Sequence, residues 1–194
     1  MYGSTRIAIF AQVDKSELVS YLEKIDGALS RPCLLCVYGS AAFILLDQPA
    51  RTSLDIDVAG PYSEADMGEL RRAAQAAGLP INPQESHQKD HIEWVSPVRL
   101  CLAAPQPQSE LILWRGRSLT VKTVSLPDLI ASKLIRYDAI DQSDIQYLVI
   151  QRSIGYEEIC AAVRRLPPPF ARDPVLLENL AALKEDLGDW RSAP

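Results

Sequence analysis

The chain has 194 residues, 47% hydrophobic and 23% charged, which matches soluble globular proteins and excludes disordered and fibrous classes. A net charge of -5 with a pI near 5.1 provides no broad basic footprint, so neither duplex DNA nor a membrane surface is an expected partner. The start of the chain lacks a signal-type apolar region, and Cys33, Cys36, Cys101 and Cys160 sit in apolar surroundings; free thiols, no disulfide and a cytoplasmic location are expected.

Asp14-Lys15-Ser16-Glu17 reads as a capping box, and Leu18, Tyr21, Leu22, Ile25 and Leu29 follow at helical spacing, which predicts a helix over 15–29. An apolar run of strand length over 33–38 ends in a Gly39-Ser40 turn, and 41–46 has the look of a short buried helix. Residues 54–59 alternate apolar and acidic positions, the pattern of a strand with one dry face. A helix is expected from Ser63 to Gly78. Short apolar runs over 92–95 and 98–103 then precede a hairpin of 111–114 and 119–124, turned by Arg115-Gly116-Arg117. From Ser125 the signals become helical, over 129–137, 144–152, 157–166 and 175–187, broken once by Pro167-Pro168-Pro169. The expected class is α/β of the α+β kind: a small mixed-sheet core over 1–124 and a helical region over 125–194 packed on it.

The chemistry concentrates in Val37-Tyr38-Gly39-Ser40-Ala41-Ala42 and Arg51-Thr52-Ser53-Leu54-Asp55-Ile56-Asp57-Val58. In a strand, residues two apart share a face, so Asp55 and Asp57 emerge side by side while Leu54, Ile56 and Val58 turn inward. Two adjacent carboxylates repel, and a divalent cation relieves that repulsion; magnesium is commonly held by one or two carboxylates together with substrate phosphates. The Gly39-Ser40 turn adds backbone N–H groups, room for a phosphate and a hydroxyl donor.

A strand ending in Gly-Ser, followed on the next strand by Asp-x-Asp, resembles the signature of the DNA polymerase β-like nucleotidyltransferases. The resemblance implies that the mixed sheet is a nucleotidyltransferase core, that an NTP is a substrate and that Mg²⁺ is the cofactor. It also implies a third carboxylate. Glu93, in His91-Ile92-Glu93-Trp94-Val95, has the expected apolar flanks, and Glu110 is a poorer candidate.

A later block, Asp128-Leu129-Ile130-Ala131-Ser132-Lys133-Leu134 followed by Asp141 and Asp144, is similar to the AbiEii-type nucleotidyltransferases, the toxins of type IV toxin–antitoxin pairs. The matching segments cover roughly residues 35 to 148. Carried over, Gly39 and Ser40 match the nucleotide-binding motif, Asp55 and Asp57 the metal motif, Lys133 the triphosphate-neutralising lysine and Asp144 the acid that orients it or assists the attacking group. The chain departs from the family in two places. Ala41-Ala42 replace the usual threonine after the turn, and an arginine expected several residues beyond the lysine is absent at Ile140, with Arg136 only three residues on.

Plainer readings exist for several residues: Lys133 as a lysine snorkelling from an amphipathic helix, and Asp141 as a simple helix N-cap. Cys33 and Cys36 read as core, since positions three apart in a strand face opposite ways; Trp94, Trp114 and Trp190 read as packing residues; His87 and His91 fall in a loop-like context without a metal-site frame. The arginine pairs at 71 and 72, 115 and 117, and 164 and 165 are the candidates for a local basic patch. The expected activity is magnesium-dependent transfer of an NMP from an NTP to a hydroxyl of RNA (tRNA included), protein or a small molecule, by a toxin with a cognate antitoxin as partner. The alternative is a non-catalytic nucleotide-binding or protein-interaction module of the same fold.

Overall fold

The structure, a computed structural model, describes residues 13–49, 51–83 and 90–192. Helix α1 (Lys15–Ala28) begins where the capping box predicts: Asp14 accepts from the backbone N–H of Glu17, and the Glu17 carboxylate accepts in return from that of Asp14. Its Leu18, Leu22 and Ile25 form the buried stripe.

Among the described residues five strands follow: β1 (Cys33–Cys36), β2 (Asp55–Ala59), β3 (His91–Val95), β4 (Leu111–Arg115) and β5 (Leu119–Thr123). Strand β5 lies between a parallel β1 and an antiparallel β4, while β2 and β3 pair in parallel. The two ladders meet where Val37 bridges Val58 and the Tyr38 N–H donates to the Asp57 carbonyl at 3.1 Å. That junction places the end of β1 against the acidic strand.

Six more helices complete the described chain: α2 (Gly39–Leu45), α3 (Met67–Ala77), α4 (Leu126–Lys133), α5 (Ala139–Arg152), α6 (Tyr156–Val163) and α7 (Pro174–Ser192). None of the described helices is long and apolar enough to cross a membrane. Residues 41–45 of α2 are all buried, and its Phe43 is fully so, a burial worth roughly 2–3 kcal/mol for the ring. One buried cluster runs from Val13 through both the sheet and the C-terminal helices to Leu187. The Tyr147 hydroxyl on α5 donates to the carbonyls of Leu46 and Asp47 just beyond α2, which fastens the helical region beside the Gly39-Ser40 turn.

Three boundaries differ from expectation. The run over 98–103 is not a strand: Pro97–Arg99 forms a 3-10 turn, and Leu100–Ala103 are buried without ladder pairing among the described residues. Helix α3 starts at Met67 because Asp66 caps it; the Ser63 hydroxyl instead accepts from the Cys36 N–H and donates to the Ala59 carbonyl, both at 2.9 Å. Helix α5 starts at Ala139, capped by Asp138, so Asp141 is not a cap and its carboxylate points elsewhere.

Candidate active site

The alternation of β2 buries Ile56 and Val58 and leaves Asp55 and Asp57 half-buried on the other face. In the parallel register Asp57 lies opposite Glu93, so β3 delivers a third carboxylate to the same face. Oxygens of Asp55, Asp57 and Glu93 all lie within 4.8 Å of one another. Burial first, then the charges of Asp55 and Glu93, push the Asp57 carboxyl up to about 7 despite Lys133 and Arg136 nearby. Around this trio Ser53 donates its hydroxyl to Asp55 at 3.0 Å, and the exposed Arg99 reaches Glu93 at 2.9 Å.

The Gly39-Ser40 turn stands directly against these acids. Gly39 has φ +59, and a Cβ there would sit 2.2 Å from the Asp57 Oδ2, so both backbone shape and space require glycine. Tyr38, Gly39, Ser40, Asp55 and Asp57 form one wall of a cleft of about 360 Å³, and Ser132, Lys133, Ile135, Arg136 and Asp141 form the other.

Across the cleft, α4 and α5 hold a charge network. The Lys133 ammonium donates to Asp141 at 2.8 Å and to Asp144 at 2.6 Å, and it lies 5.0 Å from the centre of the Phe43 ring. Arg136 grips Asp141 with two N–H donors at 2.8 and 2.9 Å. Burial would raise Asp141, but the bonds and charges of Arg136 and Lys133 outweigh it and hold the carboxyl below its ordinary value. Asp144, fully buried, also faces Arg51, whose Nε lies 3.1 Å from its Oδ1.

The cleft thus brings together Gly39, Ser40, Asp55, Asp57 and Lys133, with Glu93 joined to the acids and Asp144 holding the lysine from behind. Glu110 stands apart, paired with Lys122 at 2.6 Å. Lys133 is not a snorkelling surface lysine, since it is 7% exposed and doubly bonded to acids. The sequence reading missed Arg51 and assigned Asp141 a different task. Arg51 was legible as the only cation within six residues of Asp57, but an arginine outside any periodic pattern carries no signal of where its long side chain ends.

Other candidates resolve as packing or fold contacts. Cys33 and Cys36 are buried free thiols, pushed by burial up to about 11 and about 12. Trp94, Trp114 and Trp190 pack partly buried against the core. Arg165 pairs with the buried Asp128 at 2.7 Å and Arg117 donates to the Leu29 carbonyl at 3.2 Å, so two of the arginine pairs are tied into the fold. His91 is buried at the start of β3, and His87 lies outside the described residues.

A mixed sheet that sets clustered carboxylates against a glycine-serine turn, with a lysine facing them from a following helix, is the arrangement of the nucleotidyltransferase class. The chain belongs to a family described as nucleotidyltransferase of unknown function (DUF6036), whose model matches residues 15–163. That span includes both walls of the cleft. No curated protein and no solved structure matches the chain.

Proposed function

We propose that this protein transfers an NMP from an NTP to an acceptor hydroxyl in a magnesium-dependent reaction. The observation that carries the reading is the trio of Asp55, Asp57 and Glu93, three hard oxygen donors closer together than their charges tolerate. Burial first, and then the charges of Asp55 and Glu93, raise the Asp57 carboxyl, and a divalent cation among these oxygens would offset both, so the donor set fits Mg²⁺. Asp55, Asp57 and Glu93 would hold the ion, which supplies charge neutralisation at the transferring phosphate.

The chain's own groups then divide the work. Lys133, immobilised by Asp141 and Asp144, presents positive charge to the triphosphate, with Arg136 beside it; Gly39 leaves room for a phosphate at the turn, and the Ser40 hydroxyl offers a donor there. As the acceptor oxygen bonds to the α-phosphorus, its proton passes to a Glu93 carboxylate oxygen, and the bond to the bridging oxygen breaks to release pyrophosphate. The arrangement of Lys133 with acids eight and eleven residues beyond it supports an AbiEii-like assignment, with RNA, tRNA included, as the acceptor and a cognate antitoxin as the regulator.

The test is incubation of purified protein with α-labelled NTPs, magnesium and total RNA or cell extract. Label transferred by the wild type and absent with Asp57→Ala is the expected result; identical lanes for the two proteins would overturn the proposal. Growth arrest on expression of the wild type, absent with Asp57→Ala, tests the toxin assignment separately.

A further inference from the structure

Arg51 connects the two walls of the cleft although it belongs to no strand or helix. Its side chain is 15% exposed, and one guanidinium makes three contacts: Nε faces the fully buried Asp144 at 3.1 Å, one terminal N–H donates to the Thr52 carbonyl at 2.9 Å, and the other donates to Ser40 Oγ. The last contact fixes a direction. Among the described residues the Ser40 hydroxyl has no acceptor of its own, and with a charged donor on its oxygen, its O–H is left to point to another acceptor. Ser40 lines the cleft, so that acceptor would be a ligand oxygen there.

Neutralising Asp144 does not by itself require this arrangement, because Lys133 already bonds its other oxygen at 2.6 Å. What the planar fork adds is simultaneous reach to Asp144 and to Ser40, which a single ammonium cannot reproduce in that geometry. Resting on the nucleotidyltransferase reading, we propose that Arg51 is a positioning residue for the nucleotide. It sets the Ser40 hydroxyl as a donor to a phosphate oxygen and, through Asp144, holds the Lys133 ammonium toward the same triphosphate.

The test is calorimetric titration of the full chain with magnesium and the α,β-methylene analogues of the ribonucleoside triphosphates, alongside thermal unfolding. Arg51→Lys keeps a cation opposite Asp144 but gives up the second donor, so the unfolding midpoint stays near the wild type while affinity falls roughly tenfold. Ser40→Ala falls by a similar factor, and the double variant binds no more weakly than Arg51→Lys alone, because both changes remove the same interaction. Should the lysine variant unfold, Arg51→Gln is measured in its place with the same expectation; loss of the fold in both would assign Arg51 to structure and overturn the proposal. Wild-type affinity in Arg51→Lys, or losses that add in the double variant, also overturn it while leaving the nucleotidyltransferase reading intact. Absence of magnesium-dependent binding by the wild type to every analogue overturns that reading and this proposal together.

Discussion

On the β2–β3 wall three carboxylates stand within 4.8 Å of one another, and one of them is pushed up to about 7; on the α4–α5 wall each buried acid faces a cation at hydrogen-bond or ion-pair distance. Both walls carry charge out of bulk water, which is costly without compensation. The acids of the helical wall are offset by cations of the chain itself, Lys133, Arg136 and Arg51, although Asp144 Oδ1 and Arg51 Nε face each other as an ion pair without a hydrogen bond. Among the described residues the strand wall has no equivalent cation on its own face apart from the exposed Arg99, so its compensation is expected from outside. The contrast separates acids already offset by cations of the chain from acids that an added cation would offset.

The contrast breaks first, and by the largest factor, if the acids are interchangeable with neutral groups. Asp57→Ala is expected to lower NMP transfer by about 10³-fold or more, and Glu93→Gln by about 10²-fold, with the far-ultraviolet circular dichroism of both unchanged. Transfer at wild-type rate in Asp57→Ala would place the chemistry elsewhere. On the other wall a loss in folding should accompany the loss of transfer. Lys133→Ala leaves Asp141 and Asp144 buried with, among the described residues, Arg136 and Arg51 as their remaining cations, and a destabilisation of about 3 kcal/mol is expected in urea unfolding. A lysine variant as stable as the wild type would show that the network is not structural.

How much of this was legible follows the same division. The strand wall could be read from Asp55 and Asp57, because period-two alternation fixes which side chains share a face, and Glu93 followed from its similar apolar flanks. The helical wall could be read only in part. Lys133 stood out within its helix, but the tasks of Asp141 and Arg51 depend on where long side chains end and on a cap three residues earlier, at Asp138, neither of which sequence periodicity encodes. The same limit applies to the fold: buried Leu100 to Ala103 carry the composition of a strand, yet after the 3-10 turn at Pro97–Arg99 they have no ladder partner among the described residues.

A smaller effect sharpens the claim that the strand wall awaits a cation. In the metal-free protein the Asp57 carboxyl titrates near 7, against an ordinary value of 3.8, because of burial and then its acidic neighbours. The folded state therefore retains a proton that the unfolded chain releases. This contribution to stability is fully present below the unfolded value and is lost as pH rises through the folded one. Thermal unfolding in chelator should show stability falling by on the order of 1–3 kcal/mol between about pH 5 and 8, after allowance for partial solvent screening. Magnesium should flatten that slope, and Asp57→Asn should remove it. A slope unaffected by both would trace the pH dependence to other groups.

The smallest expected effect separates the two glutamates that compete for the third acidic position. Glu110 is 22% exposed and paired with Lys122 at 2.6 Å, so its charge is already compensated, as on the helical wall. Glu110→Gln should cost about 1 kcal/mol or less in stability, the range of a partly exposed ion pair, and should leave magnesium affinity and transfer unchanged. Glu93 differs because its partner Arg99 is 72% exposed, and two more carboxylates crowd the glutamate on its strand face. Calorimetry with magnesium alone should therefore weaken for Glu93→Gln and not for Glu110→Gln. The reverse order would move the third carboxylate from β3 to the residue just before β4, and with it the proton acceptor of the proposed reaction.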